Sequence, residues 1–226
     1  IQKKTKAWEK IKLSAIAAEI AGKNGLRHIF ESDFDPFYVR KEQVQKSDIV
    51  FLQELCKQAG ISLKVTAKML VLFDASKYES KETVKTIKKG ESDVLRWNFG
   101  TNYKDTAYAK CEVTYTDPNT KKTIKGSFKS PTSDKSTGKV LKINEKVNNK
   151  QEANELAKKR LREKNKSETE ASFELIGDLS LVSGVTVRVK GWGFYDGKYI
   201  VQNAGHSISR SGYKTNISVR KVLEGY

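Results

Sequence analysis

Cysteine, histidine, proline and methionine are all scarce in this 226-residue chain, and long apolar runs are missing. Cys56 and Cys111 stand far apart, with no CxxC pair and no histidine nearby. That spacing builds no zinc module. The two thiols read as small buried hydrophobes of a reducing compartment, and spacing alone does not decide a disulfide between them. His28 and His206 are the only histidines, too few for a metal centre. No apolar stretch approaches the roughly 18 residues that span a bilayer. The opening IQKKTKAWEKIK lacks the apolar segment of a secretion signal. The only methionine is Met69 and the first residue is Ile1, so a processed N-terminus or an upstream part is expected. Catalytic signatures are missing too. No G-x-S-x-G, H-E-x-x-H or P-loop occurs, and Gly191-Trp192-Gly193 runs into Phe194 and Tyr195 instead of a helix. Asp33 with Asp35, and Glu168 with Glu170, have the form of hydrolytic carboxylate pairs, but such pairs are common by chance. No enzyme activity and no cofactor are expected.

What is abundant is positive charge. Lys and Arg number 43 against 27 Asp and Glu, a net charge of +16. A basic chain of this kind can meet a phosphate backbone. Here the cations are interspersed with acids, and no RNP-like, zinc-finger or bZIP pattern accompanies them. The densest run, Lys158, Lys159, Arg160, Arg162, Lys164 and Lys166, shares its helix with Glu152, Glu155 and Glu163. That mixture predicts a solvated helix. Nucleic acid is not expected as a specific ligand, whereas an acidic partner surface or polyanionic lumen remains open. Trp192, Phe194, Tyr195 and Tyr199 form an aromatic run that fits core or interface packing better than a sugar platform.

Hydrophobic patterning divides the chain into two textures. Residues 8–13 read as a strand, and Ser14 as the N-cap of a helix with Ile16, Ala17, Ile20 and Ala21 on one face. A short strand at 26–31 and a loop at 32–46 follow, the loop turning at Asp35-Pro36. Ser47 caps a second helix whose stripe is Ile49, Leu52, Leu55, Cys56 and Ala59, ended by Gly60. Residues 61–74 read as a hairpin turned at Thr66-Ala67-Lys68. Residues 74–93 are polar and Lys-rich, a linker or surface strand. Beyond them short strands dominate, at 94–99, 107–116, 124–128, 141–143, 171–176, 185–190, 197–203, 207–210 and 213–222. Turns are expected at Asp117-Pro118-Asn119-Thr120 and Ser211-Gly212, and a Ser/Thr/Lys loop at 129–139. One helix at 150–165, introduced by Asn149 and Glu152, carries a thin apolar seam of Ala153, Leu156, Ala157 and Leu161. The fold class is α+β: an accessory α+β module over 1–90, then a β-barrel domain over 91–226 with one helix.

Several stretches, read in order, resemble one family. They are Ala171-Ser172-Phe173, Leu181-Val182-Ser183-Gly184, Val187, Gly191-Trp192-Gly193, Asp196-Gly197-Lys198-Tyr199, His206-Ser207-Ile208, Gly212-Tyr213 and Arg220. Upstream, Asn154 to Lys159, Cys111 to Pro118 and Ser47 to Leu52 fit the same pattern. The chain resembles the phage late control D family from about residue 8 onward, in the form found in prophages and phage-tail-like particles of Gram-positive bacteria. The resemblance implies a baseplate hub of a contractile tail, a homotrimer whose tube-type barrels adapt the sixfold tail tube to the threefold central spike. It implies a first barrel upstream of Ile1, no catalytic residues, and partners in the tube protein, the spike and other baseplate proteins. It also implies location in a virion or tail-like particle assembled in the bacterial cytoplasm. The residues proposed to meet neighbouring subunits or the tube are Leu156, Lys159, Arg160, Trp192, Tyr195, Tyr199 and Arg220. Competing readings are a peptidoglycan-binding module, from the LysM-like small elements of 8–73, and a basic nucleic-acid-binding protein.

Overall fold

A computed structural model describes residues 2–118, 120–131, 138–210 and 212–226. The first half contains β1 (Lys4–Lys12), α1 (Leu13–Lys23), β2 (Arg27–Glu31), β3 (Phe37–Lys46), α2 (Asp48–Ala59), β4 (Ser62–Val65), β5 (Met69–Phe73), α3 (Ala75–Glu79) and β6 (Thr83–Lys88). The second half contains β7 (Val94–Thr101), β8 (Lys110–Thr116), β9 (Thr123–Lys129), β10 (Val140–Asn144), α4 (Lys150–Asn165), β11 (Thr169–Ile176), β12 (Thr186–Lys190), β13 (Gly197–Ser209) and β14 (Gly212–Lys221). The strands form four sheets, with orders β1-β3, β2-β5-β4, β10-β8-β9 and β6-β12-β13-β14-β11-β7. The expected turns at Asn119 and Ser211, and the centre of the 129–139 loop, fall outside the described residues.

The N-terminal module closes on a core of Trp8, Leu13, Ile16, Ile20, Phe51, Leu52 and Leu72. α2 forms as its sequence dictates. Ser47 Oγ accepts from Val50 N, and Gly60 takes the left-handed conformation that lets Ile61 N reach Cys56 O at 2.9 Å. α1 differs from expectation at its start. Ser14 is already helical and does not cap it. The Asp35 carboxylate does so from the following loop, accepting from Ser14 N at 3.0 Å and Ser14 Oγ at 2.7 Å. A carboxylate there also complements the helix dipole. A second correction concerns residues 37–46, expected as loop and observed as β3, paired antiparallel with β1. The pattern misleads because Val39 and Val44 face solvent while Gln43 is buried, its amide donating to Lys46 O and Asp48 Oδ1.

The polar stretch 74–93 supplies α3 and β6. β6 joins the large sheet, parallel to β12, with Ile87 opposite Val189 and fully buried. From β12 to β7 that sheet is antiparallel. The two strands expected at 197–203 and 207–210 are one strand, β13, with an irregularity between Val201 and Asn203. α4 packs on the β10-β8-β9 sheet, where Ala153, Leu156, Ala157 and Leu161 meet Cys111 and Val113 in a third core. No helix of the described residues is long and apolar enough to cross a membrane.

Candidate assembly surfaces

Of the aromatic run after β12, Trp192, Tyr195 and Tyr199 fold inward, whereas Phe194 is 67% exposed. Trp192 lies 5.8 Å from Trp97 and 5.6 Å from Phe99 of β7, and 5.8 Å from Phe173 of β11. Tyr195 stacks on Phe99 at 4.6 Å. β12 and β7 stand near opposite ends of the sheet order, so these rings can meet only because the sheet curls on itself. The turn bearing Trp192 is held by Asp196, whose carboxylate accepts from Gly191 N at 3.0 Å and Trp192 N at 2.7 Å. Those backbone bonds hold its carboxyl below the usual range. The glycine-flanked N–H groups are thus occupied by the chain's own anion. Tyr199 is fully buried, its hydroxyl donates to Tyr195 O at 2.7 Å, and burial pushes its phenol up. It has no surface left for a neighbouring subunit.

The remaining predicted contact residues lie on α4 and β14, and they pair inside the chain. Leu156 is core. Lys159 Nζ donates to Asp74 at 2.6 Å, and Arg160 donates to Glu145 at 2.6 Å. Arg162 and Arg220 both donate to Glu79, a residue 4% exposed. The expectation of a solvated α4 is overturned, since only Lys150, Gln151 and Glu155 of this helix are exposed. Lys159, Arg160, Arg162 and Lys164 are neutralised by acids outside the helix, Asp74 and Glu79 on one side and Asp105 and Glu145 on the other. Sequence reading missed Asp74 and Glu79 because they sit in a polar stretch with no apolar period. Their role appears only once α4 is placed against them.

The titratable groups weighed for chemistry are held in structural contacts. Burial pushes the Cys56 thiol up to about 12 and the Cys111 thiol up to about 11, and the two lie free in separate cores. Asp33 pairs with Lys77 while its supposed partner Asp35 caps α1. Glu168 is buried and Glu170 exposed, so the second pair is also divided. His206 Nε2 lies 3.1 Å from the Leu181 carbonyl, which can only accept. Nε2 therefore carries the proton, and Nδ1 accepts from Tyr213 Oη at 2.8 Å. His28 is half-buried in β2, and desolvation lowers its pKa. Among the described residues no three His, Cys, Asp or Glu converge as a metal site.

Large apolar side chains remain uncovered at one end of the six-stranded sheet. Ile208 near the β13–β14 tip is 85% exposed and Leu179 is 78% exposed. Ile176, at the end of β11, and Val182 are about half exposed. Ile208 pairs with Tyr213, and Ile176 with Lys214, so the sheet register gathers these positions at the same end. Tyr213 and Lys214 are neighbours in β14, so Ile208 and Ile176 point to opposite faces of that end, and each leaves apolar surface for a contact.

The chain matches the family model of the phage tail baseplate hub (GPD) over residues 2–212. No match is found among curated proteins. Among solved structures, the chain is similar to the 43 kDa tail protein of prophage MuSo2 from Shewanella oneidensis. That likeness has a TM-score of 0.68 at 19% identity, over 95% of this chain and 67% of the other. A tail protein from Neisseria meningitidis MC58 matches with TM-score 0.68 at 12% identity, over 97% and 69% of the two chains. Prophage tail protein gp18 from Listeria monocytogenes matches with TM-score 0.61 at 14% identity, over 99% and 68%. These likenesses establish the α+β fold. With the family match spanning nearly every element described above, the chain belongs to the phage tail baseplate hub family.

Proposed function

We propose that the chain is a structural subunit of a contractile tail baseplate, joining the sixfold tail tube to the threefold central spike as part of a homotrimer. On this reading it works in a virion or phage-tail-like particle, assembled in the cytoplasm of a Gram-positive host, and performs no catalytic step. Its partners are the tube protein, the spike and neighbouring baseplate proteins. The observation that carries this reading is the uncovered apolar end of the six-stranded sheet, borne on a body whose helix α4 is tied down by internal ion pairs at Lys159, Arg160, Arg162 and Lys164. Such a body has surface to give to assembly. A heterologous, head-to-tail contact repeated between copies would cover it and close a ring. The mass of the full-length chain in solution, by native mass spectrometry or light scattering at low and high salt, tests the proposal. Three copies at both salts are expected, because apolar contacts are not screened by ions. A monomer at both salts counts against a self-sufficient trimer.

A further inference from the structure

One face of the β10-β8-β9 sheet is covered by α4, and the alternate residues of its strands point the other way. On that outward face the register places Lys110 opposite Lys129, Lys125 opposite Thr114, and Lys142 opposite Glu112. Glu112 is the lone carboxylate among these four lysines. Lys110 Nζ donates to it at 2.7 Å, and this bond, with the field of Lys142 and Lys125, holds its carboxyl below the usual range. At the β9 edge the face deepens into a polar hollow of about 350 Å³, where Lys150 of α4 and Ser127 join Lys110 and Lys125. Among the described residues no carboxylate pairs with Lys125, Lys129, Lys142 or Lys150, unlike Lys159, Arg160 and Arg162 further along α4.

The chemistry of this face selects its partner. Stable protein interfaces are built around aromatic, Met and Arg anchors and are depleted in Lys. Here the only large exposed apolar side chain is Val140, and the donors are ammonium and hydroxyl groups. Those groups serve phosphate oxygens, positioning a backbone without reading bases. We propose that this face is a sequence-independent contact for the phosphodiester backbone of double-stranded DNA, held by Lys110, Lys125, Lys129, Lys142 and Lys150. The proposal does not depend on the trimer reading, since all five lysines belong to one chain.

The test uses the full chain and a fluorescein-labelled duplex of random sequence, followed by anisotropy from about 50 to 200 mM salt. Lys125→Glu/Lys129→Glu/Lys142→Glu removes three exposed cations from the face. Lys64→Glu/Lys68→Glu/Lys190→Glu makes the same charge change at exposed positions elsewhere. The face variant is expected to bind about tenfold or more weakly at low salt, with its log–log salt slope reduced by about 3. The control is expected to keep the wild-type slope. Equal losses in both variants would show that net charge alone attracts the duplex and overturn the proposal. So would absence of wild-type binding at low salt. Displacement of the duplex by poly-glutamate at equal charge would assign the face to an acidic protein and overturn it as well.

Discussion

Glu79 receives two guanidinium groups at once, Arg162 from α4 and Arg220 from β14. All three side chains are nearly excluded from water, so none can be rehydrated if its partner is removed. Glu79→Gln leaves two buried cations without a counter-charge, and a loss of about 3–5 kcal/mol in urea unfolding is expected. Asp33→Asn, which breaks an exposed pair with Lys77, is expected to cost under about 1 kcal/mol. Equal losses would remove the triad's special place. Glu19 makes a different prediction. Lys23, then Lys6, with Trp8 Nε1 donating at 2.8 Å, push its carboxyl down to about 2. A depressed carboxyl contributes stability above its unfolded value of 4.5 and loses it as pH falls toward 2. Glu19→Gln should therefore lose less stability than wild type between pH 5 and pH 2.5, as read from urea midpoints.

At the scale of elements, α4 is the piece whose contacts the sequence conceals. Its seam of Ala153, Leu156, Ala157 and Leu161 is legible, as is its start, where Asn149 Oδ1 accepts from Glu152 N at 2.8 Å. The close approach to β9 is not, because it depends on Gly126 in another element. A Cβ at Gly126 would lie 2.5 Å from the carbonyl carbon and Cβ of Ala153, atoms that cannot swing away. Gly126→Ala should cost about 1–3 kcal/mol by pushing the helix off the sheet. Gly100→Ala in β7, where nothing lies within 4 Å, serves as the control in the same thermal melts. Local signals made α2 readable, since its cap, stripe and stop sit within one stretch of chain. β3 was hidden because its valines face out and its buried residue is Gln43. β6 was hidden because its partner β12 lies about a hundred residues away and pairs in parallel. The inward packing of Trp192, Tyr195 and Tyr199 was partly legible from their aromatic character. The two ion-pair anchors Asp74 and Glu79 were not, because a lone acid in a polar stretch carries no sign of its distant partner.

At the scale of the molecule, three apolar cores of the described residues, that of the N-terminal module, that of the six-stranded sheet around Phe173, Val187 and Tyr199, and that under α4, are tied through one helix. Leu156 belongs to the core under β8, while Lys159 and Arg162 reach Asp74 and Glu79 at the junction with the N-terminal module. Phe34 packs against both that module's core and the α4 core. Gly60, at the end of α2, sits so close that its Cβ would fall 2.6 Å from Lys159 Cβ. Ties of this kind make the cores unfold together, as single cooperative domains do. The tryptophans allow the point to be measured. Trp8 stacks on Phe51 in the module core, whereas Trp97 and Trp192 lie in the aromatic cluster of the curled sheet. In Trp8→Phe the fluorescence reports the sheet, and in Trp97→Phe/Trp192→Phe it reports the module. Each variant's fluorescence midpoint in urea should coincide with its own far-UV circular dichroism midpoint. With Glu79→Gln added, the tie between α3, α4 and β14 is lost, and the module's signal should separate and fall first. Separate midpoints before that change would mean that α4 does not couple the cores.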